Sequence, residues 1–553
     1  MRSLENRILT ALWSCACFVL CFILLTKKET SSWQNAFKCI VQPVSAISKL
    51  QRLKKASSSN FSVSPNGKTA EAQKVPHDYK IEHHISSMEK LFLATYRKEF
   101  QRGWCKINKG RMDWENFLAP CIDHTKWDIS NAGWRNHALK TSAEHSYTFK
   151  WDIRHAGQFS RFFIQTRTSR NLPKKIGGDS WRVLINGVSS ISPIVFDHNN
   201  GLYEVEFLLM DAGIYDVQIY LDYTLCDGLK DPPIDWYKKG SSQGKNQADG
   251  ALNGDHPYLM KALENGKPIL INVAKPNYST NVFAAMEKIR NEIYVKNPCN
   301  QKCPSLLSSG EGRWNEGAWK PFYNDLSLSQ QISPRDAKSI LWIYGDSVSK
   351  SFAEYLVTGP YQTICTKLFK ECKVTYSWVY NIKRGKVEET VDGKDYSHEK
   401  VMYEIIKVLD DKRFDERSVL LLNWGIHFAA AVNFTNYRKL IDDFVVTLQA
   451  KQRTGQCKGK VIWRTTTAIF RDRFPDPHKD VRRFLTVPRI ILYNAYAMST
   501  MCRAGVQVID VYPMTNSFPA GTVSKHDPVH YERRAMQHAQ AVLYHMSSHK
   551  RNF

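Results

Sequence analysis

The spacing of apolar residues along this 553-residue chain changes near its middle, and this change is the sequence feature that most constrains the fold. Between about residues 144 and 226, short runs of alternating apolar and polar residues, such as WRVLING and YEVEFLLM, are separated by turn residues. This pattern is typical of a β-sandwich. From about residue 335, apolar runs such as SILWIYG and SVLLLNWG alternate with helical patterns. That alternation predicts an α/β fold with a mostly parallel sheet.

The end of the first of these later strands carries a candidate nucleophile. Gly345-Asp346-Ser347 ends the run SILWIYG, and the residues that follow have a helical pattern. A serine at a strand-to-helix turn is accessible, and its own N–H at the helix N-terminus can stabilise an oxyanion. A second Gly-Asp-Ser, residues 178–180, precedes a strand of the sandwich region. We expect that copy to be a turn.

A serine nucleophile needs a general base, and the base needs an orienting group. Asp527 and His530 supply both, after the β-rich run VQVIDVYP and before a helical pattern. Two other Asp/His pairs have the same spacing, at residues 152 and 155 and at residues 395 and 398. The first lies in the sandwich region, and the second lies in a charged stretch typical of a solvated loop. We therefore predict Ser347, Asp527 and His530 as the catalytic residues.

Three further residues are candidates for binding the reacting group. Asn423, at the end of VLLLNWG, and Gly385 are candidate oxyanion donors beside the Ser347 N–H. Asn423 is equally compatible with a simple Asn-x-Gly turn. Arg464, which ends the run VIWR, is a candidate substrate ligand or the partner of a carboxylate. No metal site is predicted, because Cys299 and its neighbour four residues on have no second ligand pair at a suitable spacing.

An uncharged apolar run, residues 8–25, is about long enough to cross a bilayer. No cleavage site is clear after it, which favours an uncleaved anchor over a signal peptide. The short segment before it and the long one after it predict a single-pass type II membrane protein of the Golgi or secretory pathway. The catalytic portion is then lumenal, and a secreted form is the alternative. Ten cysteines lie outside the run, an even number that is compatible with disulfide bonds. Together with sequons at Asn60, Asn277 and Asn433, they agree with export.

The charge of the chain restricts its partners. Lys and Arg number 77 against 53 Asp and Glu, which gives a net charge of +24. Such an excess favours nucleic acid, an anionic membrane or an acidic glycan. The apolar run, the sequons and the lack of a nucleic-acid-binding motif count against nucleic acid. The expected partners are acidic glycans or glycoproteins, and a membrane through residues 8–25.

The motifs, in their order along the chain, resemble the PC-esterase branch of the SGNH/GDSL hydrolase superfamily. They are the Gly-Asp-Ser ending at Ser347, the NWGIH run that begins at Asn423, VIWRTTT, DVYPMT, and the DPVH that ends at His530. Together with the upstream β-rich region and the N-terminal apolar run, they make the chain similar to the neurexophilin and PC-esterase domain (NXPE) family. The resemblance covers roughly residues 100–553 and is rich in motifs from about residue 310.

This resemblance implies an SGNH-like three-layer α/β domain after an immunoglobulin-like β-sandwich of the neurexophilin or filamin kind. With the sequence patterns, it gives five expected segments. They are a cytoplasmic tail and signal anchor (1–26), a basic stem (27–100), the β-sandwich (101–230), a linker (231–310) and the PC-esterase domain (311–553).

The resemblance also implies an activity. Relatives of this kind move acetyl groups to or from glycan hydroxyls, and sialic acid-type glycans are favoured here. Ser347 would carry the acyl group, His530 would shuttle the proton and Asp527 would orient His530. No bound cofactor is expected, and acetyl-CoA is a candidate acyl donor. The alternative is a catalytically inactive, neurexophilin-like binding protein, against which the complete Ser/Asp/His set counts.

Overall fold

The computed structural model describes residues 86–127, 137–232, 257–296, 298–299, 310–323, 339–377, 396–474 and 483–548. The chain divides into two compact units, Met1–Glu82 and His83–Phe553. All described residues belong to the second unit. The expected anchor at residues 8–25, most of the expected stem and Gly385 lie outside the described residues.

Sixteen strands are present in the described part of the chain. They are β1 Thr141–Asp152, β2 Gln158–Thr168, β3 Ser180–Gly187, β4 Ser190–Ile191, β5 Ile194–Asp197, β6 Leu202–Leu209, β7 Gly213–Tyr223, β8 Lys261–Ala262, β9 Ile269–Val273, β10 Gly312–Asn315, β11 Ala318–Pro321, β12 Ile340–Gly345, β13 Glu371–Tyr376, β14 Val419–Leu422, β15 Lys460–Arg464 and β16 Gln507–Ile509.

The α-helices of the same residues lie mostly in the C-terminal half. They are α1 Ser87–Met112, α2 Trp114–Leu118, α3 Thr280–Lys296, α4 Ser347–Thr358, α5 His398–Leu409, α6 Ile426–Ala431, α7 Phe434–Arg453, α8 Val487–Arg503, α9 Tyr512–Asn516 and α10 Arg533–Ser548.

Two antiparallel sheets form a β-sandwich. One has the order β1-β2-β6-β5, and the other has the order β11-β10-β4-β3-β7-β8 with β9 also paired to β7. Phe162 and Val205 from the first sheet and Val183 and Val217 from the second belong to one buried apolar cluster. Burial alternates along β2 and β3, because successive side chains of a strand point to opposite faces. This is the physical origin of the period-two pattern in the sequence.

The third sheet is parallel, with the order β13-β12-β14-β15-β16. All six residues of β12 and all four residues of β14 are buried. Strands covered on both faces read as continuous apolar runs, which explains ILWIYG and VLLL in the sequence. The strands run in one direction, so their carboxyl ends meet at one edge of the sheet. Ser347, Asn423 and Asp510 follow the ends of β12, β14 and β16 at that edge.

The predicted fold class is wrong for the chain. Eleven of the sixteen described strands belong to antiparallel sheets, so the structure is not an α/β fold with a mostly parallel sheet. The SGNH-like three-layer domain is also not clearly recovered. The reason lies in residues 261–273 and 312–321, which were expected to be a linker and the start of the α/β domain. They instead add β8 to β11 to the second antiparallel sheet by pairing with β7 and β4.

No helix of the described residues is long and apolar enough to cross a membrane. The longest, α1, has 26 residues and carries charged side chains along its whole length. The predicted N-terminal transmembrane helix, and with it the predicted single-pass type II membrane protein of the Golgi with a lumenal catalytic domain, therefore gains no support from the described residues. The apolar run at residues 8–25, on which both predictions depended, lies outside the described residues.

Disulfide bonds link cysteines of the described chain, as the cysteine content predicted. Cys105 is bonded to Cys299, Cys121 to Cys226 and Cys365 to Cys372. The first two bonds close segments of 194 and 105 residues. Cross-links over such long segments restrict the unfolded chain strongly. Cys299, which was considered as a metal ligand, is therefore engaged in a disulfide.

Candidate active site

Ser347 is the first residue of α4 and follows β12 after a single residue. That residue, Asp346, is the N-cap of the helix. Its Oδ1 accepts hydrogen bonds from the N–H groups of Val348 and Ser349 at 3.0 and 3.3 Å, and its Oδ2 accepts from Ile426 at 3.2 Å. The cap thus uses the second and third N–H groups of the helix. The Ser347 N–H remains at the helix end, where the helix dipole favours negative charge.

Two glycines allow this turn to be tight. A Cβ on Gly345 would overlap Ser349 Oγ, and a Cβ on Gly425 would overlap Asn423 Oδ1 and lie 2.9 Å from Asp346 Oδ2. Both positions therefore need a residue without a side chain. Glycine at these positions lets the turn after β14 approach the carboxylate that caps α4.

Ser347, His530 and Asp527 form a continuous hydrogen-bonded chain. Ser347 Oγ lies 2.8 Å from His530 Nε2, and His530 Nδ1 lies 2.9 Å from Asp527 Oδ2. The side chains of His530 and Asp527 are 35% and 27% exposed, so a substrate can reach them. The structure therefore brings together the three predicted catalytic residues in the order nucleophile, base and orienting carboxylate.

The backbone around Asp527 fixes its carboxylate. Asp527 Oδ1 accepts hydrogen bonds from the N–H groups of Val529 and His530 at 2.9 and 3.0 Å. Burial acts to raise the pKa of Asp527, but these N–H groups and the His530 ring outweigh it and hold the pKa below its usual range. The carboxylate is consequently ionised at neutral pH and can hold the Nδ1–H tautomer of His530. That tautomer leaves Nε2 free to accept the Ser347 proton.

A second loop, which the sequence did not point to, supports the Asp527–His530 segment. The Phe470 N–H donates to the Pro528 carbonyl oxygen at 2.9 Å. Arg473 Nη1 donates to the carbonyl oxygen and to Oγ1 of Thr522 at 2.8 and 2.9 Å, and Thr522 Oγ1 donates to the carbonyl oxygen of Asp527. These links join the segment after β15 to the segment that carries the base. Sequence spacing alone contains no signal for them.

Arg464, predicted as a substrate ligand, is only 1% exposed. Its Nη2 donates to Ser349 Oγ at 2.7 Å, under the first turn of α4. Burial lowers the pKa of the guanidinium, and the negative charge of Asp346 opposes that shift. In this position Arg464 can influence Ser347 through the field of its charge, while its contacts are with the protein interior.

Asn423, predicted as an oxyanion donor, is 2% exposed. Its Nδ2 donates to the Arg464 carbonyl oxygen at 2.9 Å, and its Oδ1 is buried without a hydrogen-bond partner. The amide N–H is thus directed to the end of the neighbouring strand. Gly385 lies outside the described residues. Of the predicted oxyanion donors, the Ser347 N–H is the one that the structure places at an open helix end.

In the second Gly-Asp-Ser and in the two other Asp/His pairs, charged side chains form ion pairs within the protein. Asp179, in the second Gly-Asp-Ser, forms a buried ion pair with Lys174 at 2.8 Å. Asp152 pairs with Arg154 on the sandwich surface. His398 pairs with Asp443 at 2.8 Å.

Two tryptophans of the β10–β11 hairpin lie in the protein interior. Trp314 and Trp319 are 2% and 7% exposed and pack against each other in the interior. Trp314 Nε1 also donates to the carbonyl oxygen of Met514 at 2.7 Å. Both rings therefore belong to the core.

Comparisons with known proteins leave the family open. No protein-family model matches the sequence, and no curated protein matches it. Among solved structures, the crystal structure of the Lin-41 filamin domain is similar to 25% of this chain and to 99% of that domain, at 10% identity and a TM-score of 0.16. A similarity at that TM-score carries no argument about fold or function.

Proposed function

We propose that this protein is a serine-dependent enzyme that transfers an acyl group to or from the hydroxyl groups of glycans. The observation that carries the proposal is the hydrogen-bonded chain from Ser347 Oγ through His530 to the Asp527 carboxylate. An accessible serine at a helix N-terminus, a histidine within reach of its proton and an ionised carboxylate behind the histidine together make an activated nucleophile.

The first half of the reaction forms an acyl-enzyme. His530 Nε2 takes the proton of Ser347 as Oγ attacks the acyl carbonyl carbon. The negative charge that develops on the carbonyl oxygen is stabilised by the Ser347 N–H and the N-terminus of α4. The tetrahedral species then collapses, the bond to the leaving group breaks, and His530 returns the proton to that group. Asp527 stays ionised throughout and stabilises the imidazolium.

The second half transfers the acyl group to an acceptor. A hydroxyl group gives its proton to His530 and attacks the acyl carbon, and Ser347 leaves with the proton that His530 returns. Water as the acceptor makes the protein an esterase, and a sugar hydroxyl makes it a transferase. Both reactions need the same three residues.

The substrate class rests on two observations from the sequence. The motifs resemble the neurexophilin and PC-esterase domain family, which favours acetyl groups and sugar hydroxyls. The net charge of +24 favours an acidic glycan, of which sialylated glycans are one type. Acetyl-CoA is a candidate acyl donor for the transfer direction.

The test compares the full-length protein with its Ser347→Ala variant. Acetyl release from O-acetylated sialoglycans and acetyl transfer from acetyl-CoA to sialylated glycans are measured. We expect activity in the unchanged protein and a loss of about 10³-fold or more in Ser347→Ala. Ser351→Ala, one turn further along α4, is the matched control and should keep its activity. Equal activity in the Ser347→Ala and unchanged proteins contradicts the mechanism, and a folded but inactive unchanged protein favours the binding-protein alternative.

A further inference from the structure

A crevice of about 450 Å³ lies between the β-sandwich and the loops beside the Asp527–His530 segment. One side is lined by residues 184–191, at the turn from β3 to β4, and by residues 316–317, at the tip of the β10–β11 hairpin. Phe470, Arg473 and residues 516–521, except Ala520, line the other. Sites for small ligands commonly have volumes of about 300–1,000 Å³, so the crevice can hold one or two sugar rings.

The crevice is adjacent to the segment that carries the base. Phe470 and Arg473, which line it, are the residues that donate hydrogen bonds to Pro528 and Thr522. The ring of Phe470 also lies 6.3 Å from that of Tyr531, the residue after His530. A ligand in the crevice would therefore lie beside the wall of the proposed active site.

The charge of Arg473 is not neutralised in the described part of the chain. Its two Nη atoms donate to neutral oxygens of Thr522 and Ala520, and its guanidinium lies 5.0 Å from the Phe470 ring centre. The other charged residue lining the crevice, Glu316, is exposed and pairs with Lys320 at 3.0 Å. The crevice consequently favours a ligand with a negative charge.

The remaining lining suits a saccharide better than an aliphatic chain. Asn186 is exposed, Gly187 and Gly317 expose the backbone, and Val188 adds an apolar side chain. Phe470 adds a half-buried aromatic ring. Sites that orient a polar ligand combine a few such polar groups with aromatic surface. A saccharide presents both hydroxyl groups and apolar C–H faces, so it can use this mixture of surfaces, whereas an aliphatic chain can use only the apolar part.

We propose that this crevice is the subsite for the glycan and binds an acidic saccharide with its carboxylate at Arg473. The proposal rests on the function proposed above, since it assigns the substrate of that reaction to a place. The proposal also gives the β-sandwich a role in substrate binding, because the sandwich supplies one wall of the subsite.

The test fills the crevice without changing the residues of the proposed catalytic machinery. Val188 lines the crevice and is 46% exposed, so Val188→Trp places a large ring there. Leu270→Trp is the matched control, because Leu270 is 70% exposed on the same sheet and does not line the crevice. Binding of 3′-sialyllactose and of lactose is measured by titration calorimetry, and Ser347 is labelled with a fluorophosphonate in each variant.

We expect Val188→Trp to weaken the binding of 3′-sialyllactose by about tenfold or more, and Leu270→Trp to leave it unchanged. Lactose, which lacks the carboxylate, should bind the unchanged protein at least about tenfold more weakly than 3′-sialyllactose. Asn186→Trp, on the same wall, provides a second blocking variant if Val188→Trp does not fold. Unchanged binding of 3′-sialyllactose in a folded blocking variant, or equal binding of the two sugars, overturns the proposal. Absence of Ser347 labelling in the unchanged protein overturns the proposed function instead, so the two failures are distinguishable.

Discussion

Replacing Asp527 by Asn changes the protonation of His530 while keeping the shape of the loop. In the structure Asp527 Oδ1 accepts two backbone N–H groups, and Oδ2 lies 2.9 Å from His530 Nδ1. An asparagine that keeps the two backbone hydrogen bonds with its Oδ1 must place its Nδ2 opposite His530 Nδ1. Two donors cannot face each other, so Nδ1 becomes the acceptor and the ring proton moves to Nε2. His530 can then no longer accept the Ser347 proton.

The size of the effect follows from this change of tautomer. Holding the wrong tautomer in a Ser-His-Asp arrangement costs about 10⁴-fold in kcat, which corresponds to about 5 kcal/mol in the activation barrier. The fold should change little, because both backbone hydrogen bonds remain. The expected loss of unfolding free energy is about 1 kcal/mol, from weaker hydrogen bonds to a neutral acceptor.

The assay is the hydrolysis of 4-nitrophenyl acetate by the full-length protein near pH 8, with thermal melting measured in parallel. Glu532→Gln is the matched control, because it removes a neighbouring carboxylate that pairs with Arg534 on the surface. It should keep its activity within about threefold, as expected of a surface substitution. If Asp527→Asn keeps more than about a tenth of the activity while Ser347→Ala is inactive, Asp527 does not orient His530 and the reasoning is refuted.

Two further predictions concern the surroundings of the site. Gly425→Ala should lower the unfolding free energy by about 1–3 kcal/mol, because the new Cβ would overlap Asn423 Oδ1 and crowd Asp346; an unchanged midpoint in urea unfolding would contradict the tight turn. Burial lowers the pKa of His538 from 6.5 to about 4, so the unfolded chain binds a proton between these values that the folded protein does not. Stability should therefore fall as the pH falls from about 6.5 to 4, by up to about 1.4 kcal/mol per pH unit from this group. His538→Gln should make urea unfolding less dependent on pH over that window, and an unchanged dependence would contradict the lowered pKa of His538.

The sequence predicted the elements whose signal is local. The run ILWIYG is a fully buried strand, β12, and Gly-Asp-Ser follows it at the start of a helix. The spacing of Asp527 and His530 indicated a pair that could share a proton, and the structure places that pair against Ser347. These features depend on neighbouring residues in the chain, which is why a pattern reveals them.

The rest depended on contacts between distant segments. Strands β8 and β9 are short and exist through pairing with β7, so the fold class could not be read from their own residues. The amide of Asn423 is directed by the carbonyl oxygen of Arg464, 41 residues away. The support of the Asp527 segment by Arg473 likewise joins two loops that no spacing rule connects. Arg464 could have been expected inside, since it continues the buried strand β15.

The most direct test of the account is the covalent labelling of Ser347. A fluorophosphonate reacts with a serine whose proton is accepted by a histidine. The full-length protein is treated with this reagent near pH 8, and the product is analysed by intact mass and peptide mapping. The account predicts a single adduct on Ser347, about 10³-fold slower labelling in Asp527→Asn, and no adduct in Ser347→Ala. Absence of an adduct on the folded protein, or an adduct that persists in Ser347→Ala, would contradict the claim that Ser347, His530 and Asp527 form an activated nucleophile.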